Sequence, residues 1–259
     1  MSMLSDPSAT PGTDSSAASR CCALEFRCRQ GDMQDRHVGN IGDFGKLALL
    51  RCLMEGRRLA VCWYLTRDVH ESKNNGKMFD YLKRPEEFRH LAPEIFDALN
   101  RIVAEDCARS RSVAALEAGG LLSEAVFHRT EVPRPRVLRR QWAEELVAAV
   151  SDADLVFLDP DNGIQGTRLS PKHIALSEIA ALRRPNRIIA FAQQQTGRRS
   201  QVSLLAKQLW SIGCKRIELV RFRLIASRFF VVTDHDEGET ERIRELARKW
   251  GKWVVTYRF

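Results

Sequence analysis

Asp154-Leu155-Val156-Phe157-Leu158-Asp159-Pro160-Asp161-Asn162-Gly163 is the stretch that decides the fold. Its apolar run has no polar alternation, and a strand of that kind needs cover on both faces. The run stops at Asp159, where a carboxylate at a strand end can meet a ligand without being buried unpaired. Pro160 restricts Asp159 to extended geometry, and Asn162-Gly163 signals a turn. A tight strand-to-helix turn alone also accounts for Asn162 and Gly163.

Working outward from this strand, the apolar periodicity alternates between two kinds of segment. Downstream it predicts a helix over 171–183, a strand over 187–192 and a helix over 201–212. Two β-rich runs, 216–224 and 228–233, flank Ile225-Ala226-Ser227 and ask for a hairpin. A helix over 239–249 and a strand over 252–257 follow. Upstream, Asp43 is placed to cap a helix carrying Leu47, Leu50, Leu53 and Met54 and ending at Gly56. A strand over 59–65 comes next, then a polar loop over 66–77 and helical material around 78–82 and 93–108. The apolar stretches 112–116 and 125–128 follow, the first reading equally as a helical turn, and then a helix over 138–150. The pattern predicts an α/β fold with a doubly wound, mainly parallel sheet and a late antiparallel hairpin. In such a sheet ligands bind beyond the carboxyl ends of the strands, which directs attention to the residues after Leu65, Leu158 and Ala192.

The 259 residues are 44% hydrophobic and 29% charged, too apolar for a disordered chain. Residues 1–20 hold almost no large apolar side chain, so 1–23 reads as a disordered tail and 24–259 as a single domain. No run of 18 apolar residues occurs and the start lacks the pattern of a signal peptide, so the expected location is cytoplasmic, with no membrane partner. Seven cysteines without a framework fit a reducing compartment and supply no zinc set. The formal net charge of +8 favours a polyanionic partner, RNA or DNA. The oligomeric state is not legible.

The second informative stretch is His37-Val38-Gly39-Asn40-Ile41-Gly42-Asp43-Phe44-Gly45-Lys46. Its glycines let a backbone approach a ligand closely, ahead of a helix N-terminus. It is not a P-loop, because Asn40 stands at the first glycine position and Leu47 where a magnesium-binding hydroxyl belongs. The spacing His37-x-Gly39-Asn40-x-x-Asp43-x-x-Lys46, followed by a buried strand ending in Asp159-Pro160, resembles the bacterial 23S rRNA adenine-N6 methyltransferases of the class I S-adenosylmethionine-dependent fold. Residues 38–51 also resemble a bacterial family to which no activity is attached.

The resemblance implies that Asp159 holds the amino group being methylated with Lys46 near the same site, and that His37, Asn40 and Asp43 shape the cofactor pocket. A carboxylate ending the second strand accepts hydrogen bonds from a ribose, and Glu117 is the candidate. Asp161-Asn162 stand where that family has Pro-Tyr, and the loop after the first strand carries only Gly76 where the fold usually has a glycine-rich turn.

Phosphate contact is assigned to Arg198 and Arg199, just past a strand, with Asn162 as a further nucleic-acid contact. Arg221 and Arg223 alternate within a strand and form either part of a basic stripe or one exposed face. Trp63 reads as core, while Tyr64 is expected to reach the pocket with its hydroxyl. Lys46 is expected on a helix side away from Leu50 and Leu53, solvated or paired, and close to Asp159. Two alternatives stand beside the methyltransferase reading. One is a nucleic-acid-binding module without catalysis. The other is a metal-dependent phosphodiesterase in which Asp159 and Asp161, with His128 or His173, hold a hard cation.

Overall fold

The structure, a computed structural model, describes residues 38–66, 76–105, 112–122, 124–166, 168–194, 199–224 and 227–259. The expected tail and His37 lie outside the described residues. Seven strands form one sheet: β1 Leu59–Cys62, β2 Val126–His128, β3 Leu155–Leu158, β4 Ile188–Gln193, β5 Ile217–Arg223, β6 Ser227–Thr233 and β7 Val254–Arg258. Their order is β2-β1-β3-β4-β6-β5-β7. The first four strands in that order are mutually parallel, whereas β6 pairs antiparallel with both β4 and β5, and β7 antiparallel with β5. This is the doubly wound plan expected from the sequence, with the β5–β6 hairpin folding back so that β6 lies between β4 and β5.

Eight α-helices are described: α1 Ile41–Leu53, α2 Pro85–Phe88, α3 Pro93–Glu105, α4 Val113–Ala118, α5 Arg136–Ala149, α6 Leu176–Leu182, α7 Arg199–Ser211 and α8 Glu237–Trp250. Two apolar layers cover the sheet. One joins α1, α3, α4 and α8 to Val61, Phe157 and Phe230; the other joins α5, α6 and α7 to Cys62, Leu158 and Phe191. β3 is buried along its whole length, as its unbroken apolar run requires. Among the described residues no helix is long and apolar enough to cross a membrane.

Helix α1 is buried on almost every side. Phe44 packs on Tyr81, Phe96 and Trp250, with ring centroids 5.1 to 6.1 Å apart. A Cβ on Gly45 would stand 2.9 Å from two Phe222 ring carbons, so the glycine lets the helix lie directly on the sheet. Lys46 is 8% exposed and not on a free face. Spacings of four and seven put it on the same side as Leu50 and Leu53, contrary to expectation.

The strand expected over 59–65 ends at Cys62 because Tyr64 turns to φ +52°, which no ladder accommodates. The helix expected from 171 begins only at Leu176. The preceding backbone is committed elsewhere, with Asn162 N–H donating to Lys172 O, Ile174 N–H to Gly163 O and Gln165 N–H to Ile174 O. Several of the arginines behind the net positive charge serve the interior. Arg139, 4% exposed, donates to both carboxylate oxygens of buried Glu178 at 2.7 and 3.0 Å. Arg187 donates to the carbonyls of Val150, Ser151, Ala153 and Leu182. Arg183 holds Asp234 and the end of α7.

Candidate functional site

The parallel strands β1 and β3 leave the sheet at its switch point, where the chain runs outward on one side to β2 and on the other to β4. Because Cys62 is in register with Leu158, and Leu158 with Phe191, the next residues Trp63, Asp159 and Ala192 stand together at the carboxyl edge. All three line a cleft of about 90 Å³. Its other wall is the start of α1, including Asn40, Asp43 and Lys46, and Arg228 enters from β6.

The geometry of this wall follows from its sequence. Asn40 caps α1: its side chain accepts Gly42 N–H at 2.6 Å and Asp43 N–H at 3.1 Å. The cap is therefore Asn40, not Asp43. Asp43 instead points back, accepting Gly39 N–H at 2.9 Å and Lys46 Nζ at 2.7 Å. Gly39 needs its φ of +84°, and a Cβ there would stand 2.5 Å from Val103. Asn40→Ala is expected to lower stability by about 1–2 kcal/mol, since the buried Gly42 N–H loses its acceptor and Asp43 N–H keeps only the Asn40 carbonyl. Urea unfolding checks this, with Asn40→Asp losing much less.

Lys46 Nζ also donates to Asp159 Oδ2 at 2.6 Å, joining residues 113 positions apart. The Asp43, Lys46 and Asp159 side chains are 8, 10 and 16% exposed, so water screens them little. Burial opposes the Lys46 charge, but the two carboxylates outweigh it and hold the ammonium above its ordinary range. Burial pushes the Asp159 carboxyl up; Lys46 counters this, and the negative charges of Asp43 and Asp161 add to the rise. The Trp63 ring lies 5.3 Å from Nζ, and its Nε1–H donates to Glu117 at 2.7 Å.

The expected proximity of Lys46, Asp43, Asn40 and Asp159 is thus present in the structure. Other expected positions differ. Glu117 lies on α4, before β2, and its carboxylate is taken by Trp63 and Arg129. A role at the end of the second strand requires a residue after His128, and the carboxylate there is Glu131. It lines a separate cavity of about 370 Å³ with Thr66 and Pro133. Tyr64 faces the opposite layer, where its hydroxyl donates to Glu178 at 2.9 Å, so it does not reach the cleft. Asn162 lies in the turn after Asp159 and is not part of the cleft wall. Arg198 is outside the described residues, and Arg199 opens α7. Arg228 was missed: its strand position gave no signal that an antiparallel partner would deliver it to the cleft.

The metal reading finds little support in this arrangement. The Lys46 ammonium occupies the position between Asp43 and Asp159 that a cation would take. His128 lies against Cys62 and Trp142, and His173 against Ser170, both away from the cleft. Among the described residues no group of three His, Cys, Asp or Glu side chains could hold a metal ion.

No protein-family model matches the sequence, and no curated protein is similar to it. Among solved structures, protein LPL1258 from Legionella pneumophila aligns with a TM-score of 0.48 and 12% identity, over 86% of this chain and 98% of that one. The human methyltransferase-like protein 13, solved in complex with SAH, aligns with a TM-score of 0.36 and 11% identity, over 82% of this chain and 92% of its own.

Proposed function

We propose that this chain is an S-adenosylmethionine-dependent methyltransferase acting on an amino group of nucleic acid, with Asp159 as the group that orients the acceptor. The observation that carries the reading is the Lys46–Asp159 contact at the switch-point edge, which joins the two stretches of the resemblance in one cleft.

The residues present suit the cofactor's two ends. Asp43 and Lys46 offer both signs of charge for an amino-acid moiety. The cleft is smaller than the roughly 300–1,000 Å³ of a complete ligand pocket, so it takes a charged end rather than a nucleoside. The cavity beside Thr66 and Glu131 falls inside that range, and Thr66 begins three residues after Trp63. The Thr66 hydroxyl is buried there without a hydrogen-bond partner, as expected of a group that waits for a ligand. Glu131 takes the ribose-accepting role first given to Glu117.

When bound, S-adenosylmethionine supplies an activated methyl group. Asp159 accepts an N–H of the acceptor, which turns the nitrogen lone pair toward the site of transfer. Lys46 holds that carboxylate through its ammonium and counters the rise that burial causes. Trp63 closes the floor of the cleft against water. Arg228, which makes no ion pair among the described residues, is placed to meet a substrate phosphate.

Isothermal calorimetry with S-adenosylhomocysteine tests this. The wild-type chain is expected to bind it, and Glu131→Gln to bind about tenfold more weakly. Absence of binding by the wild-type chain would favour the binding-module reading.

A further inference from the structure

We infer that the groove between the 164–166 segment and helix α7 is a nucleobase slot, receiving a base of the substrate strand next to the acceptor; this rests on the nucleic-acid reading above. The groove holds about 160 Å³, room for one ring system and too little for a nucleotide. Its walls are apolar, formed by Val202 and Leu205 of α7, Leu219 of β5 and Phe229 of β6. Among the described residues its polar lining consists of glutamine amides, from Gln165, Gln193, Gln194 and Gln208, and no charged side chain lines it. Apolar faces with amide donors and acceptors around the rim suit a planar heterocycle better than a phosphate. Glutamine amides pair with base edges in two-point contacts.

Three details favour an occupant over an accidental gap. Gln165 Oε1 is buried and has no hydrogen-bond partner, an acceptor that the exocyclic amino group of a base would satisfy. Gln193 is pinned, its Oε1 accepting Ile164 N–H at 3.0 Å, which leaves its NH₂ as a fixed donor. This pinning depends on Gly163, where a Cβ would stand 2.3 Å from Gln193 Oε1. Gln193 also lines the catalytic cleft, so the two spaces share a wall and one strand can occupy both.

The test is fluorescence anisotropy of a short single-stranded RNA over a series of salt concentrations, comparing the wild-type chain with Gln165→Leu and Gly166→Trp. Gly166 is exposed and a Cβ there meets nothing within 4 Å, so the tryptophan can fill the groove without strain. Both variants are expected to bind about tenfold more weakly, with the log-log salt slope unchanged, because no phosphate contact is lost. Wild-type affinity in both variants, a reduced slope, or no RNA binding by the wild-type chain overturns the slot. Calorimetry with S-adenosylhomocysteine separates the two proposals. Retained cofactor binding with unaltered RNA affinity in the variants removes the slot alone. Lost cofactor binding with the variant effects intact removes the methyltransferase reading alone.

Discussion

Replacing Lys46 by methionine is expected to destabilise the fold by about 3–5 kcal/mol at pH 7, the range for removing one partner of a buried ion pair. The methionine fills much the same space, so the loss is electrostatic: Asp43 and Asp159 face one another with no cation between them. The pH dependence gives a second readout. Asp159 already has a raised carboxyl, and removing the ammonium that counters the rise pushes it higher. A carboxyl raised in the folded state takes up a proton there more readily than in the unfolded chain, so the variant regains stability as pH falls from neutrality toward the ordinary carboxylate range of about 4. Urea unfolding across that window, with Lys46→Met/Asp159→Asn expected to recover much of the loss at pH 7, checks the account. Equal losses in the single and double variants would contradict it.

For Asp159 the expected effect is on transfer rather than folding. Asp159→Ala should reduce methylation by about 10²–10³-fold, the magnitude associated with one positioned polar group at a reacting centre. Lys46 keeps Asp43 as its partner in this variant, so the melting temperature should move far less than in Lys46→Met. Asp159→Asn separates orientation from base chemistry. An amide oxygen still accepts an N–H, so a residue that only orients the acceptor leaves substantial activity; a residue that must take a proton leaves none. Single-turnover rates for the two variants, beside their unfolding curves, decide between them.

The mainly parallel sheet and its late hairpin were legible because β3 has no polar alternation and the 216–233 region has two β-rich runs with a short break. Asp159 was legible for the same reason, as the first polar residue after a buried run. Its partnership with Lys46 came from a motif resemblance, since no local rule links positions 113 apart. What escaped was decided by tertiary packing. Glu117 had the right chemistry, but the second strand begins only at Val126, so Glu117 does not end it. Tyr64 follows Trp63 and turns to the opposite layer. Nothing local announces the carbonyls and carboxylates that receive the arginines at 139, 183 and 187. Arg139 and Arg183 pair with Glu178 and Asp234 and leave the net excess unchanged; only Arg187, buried among carbonyls, withdraws a positive charge from it.

Helix α1 precedes the whole sheet in the chain, yet its surroundings come mostly from the other end. Phe44 meets Trp250 of α8, Gly45 meets Phe222 of β5, and Arg228 of β6 comes close beside Gly42. These contacts span up to about 200 residues. Contacts of such long sequence separation demand loop closure before they repay it, which slows the search for the native state. During synthesis α1 emerges early and stays without its cover until α8 has left the ribosome. The same helix that presents Lys46 to the cleft is therefore an apolar segment that a nascent chain must shield until its distant partners arrive.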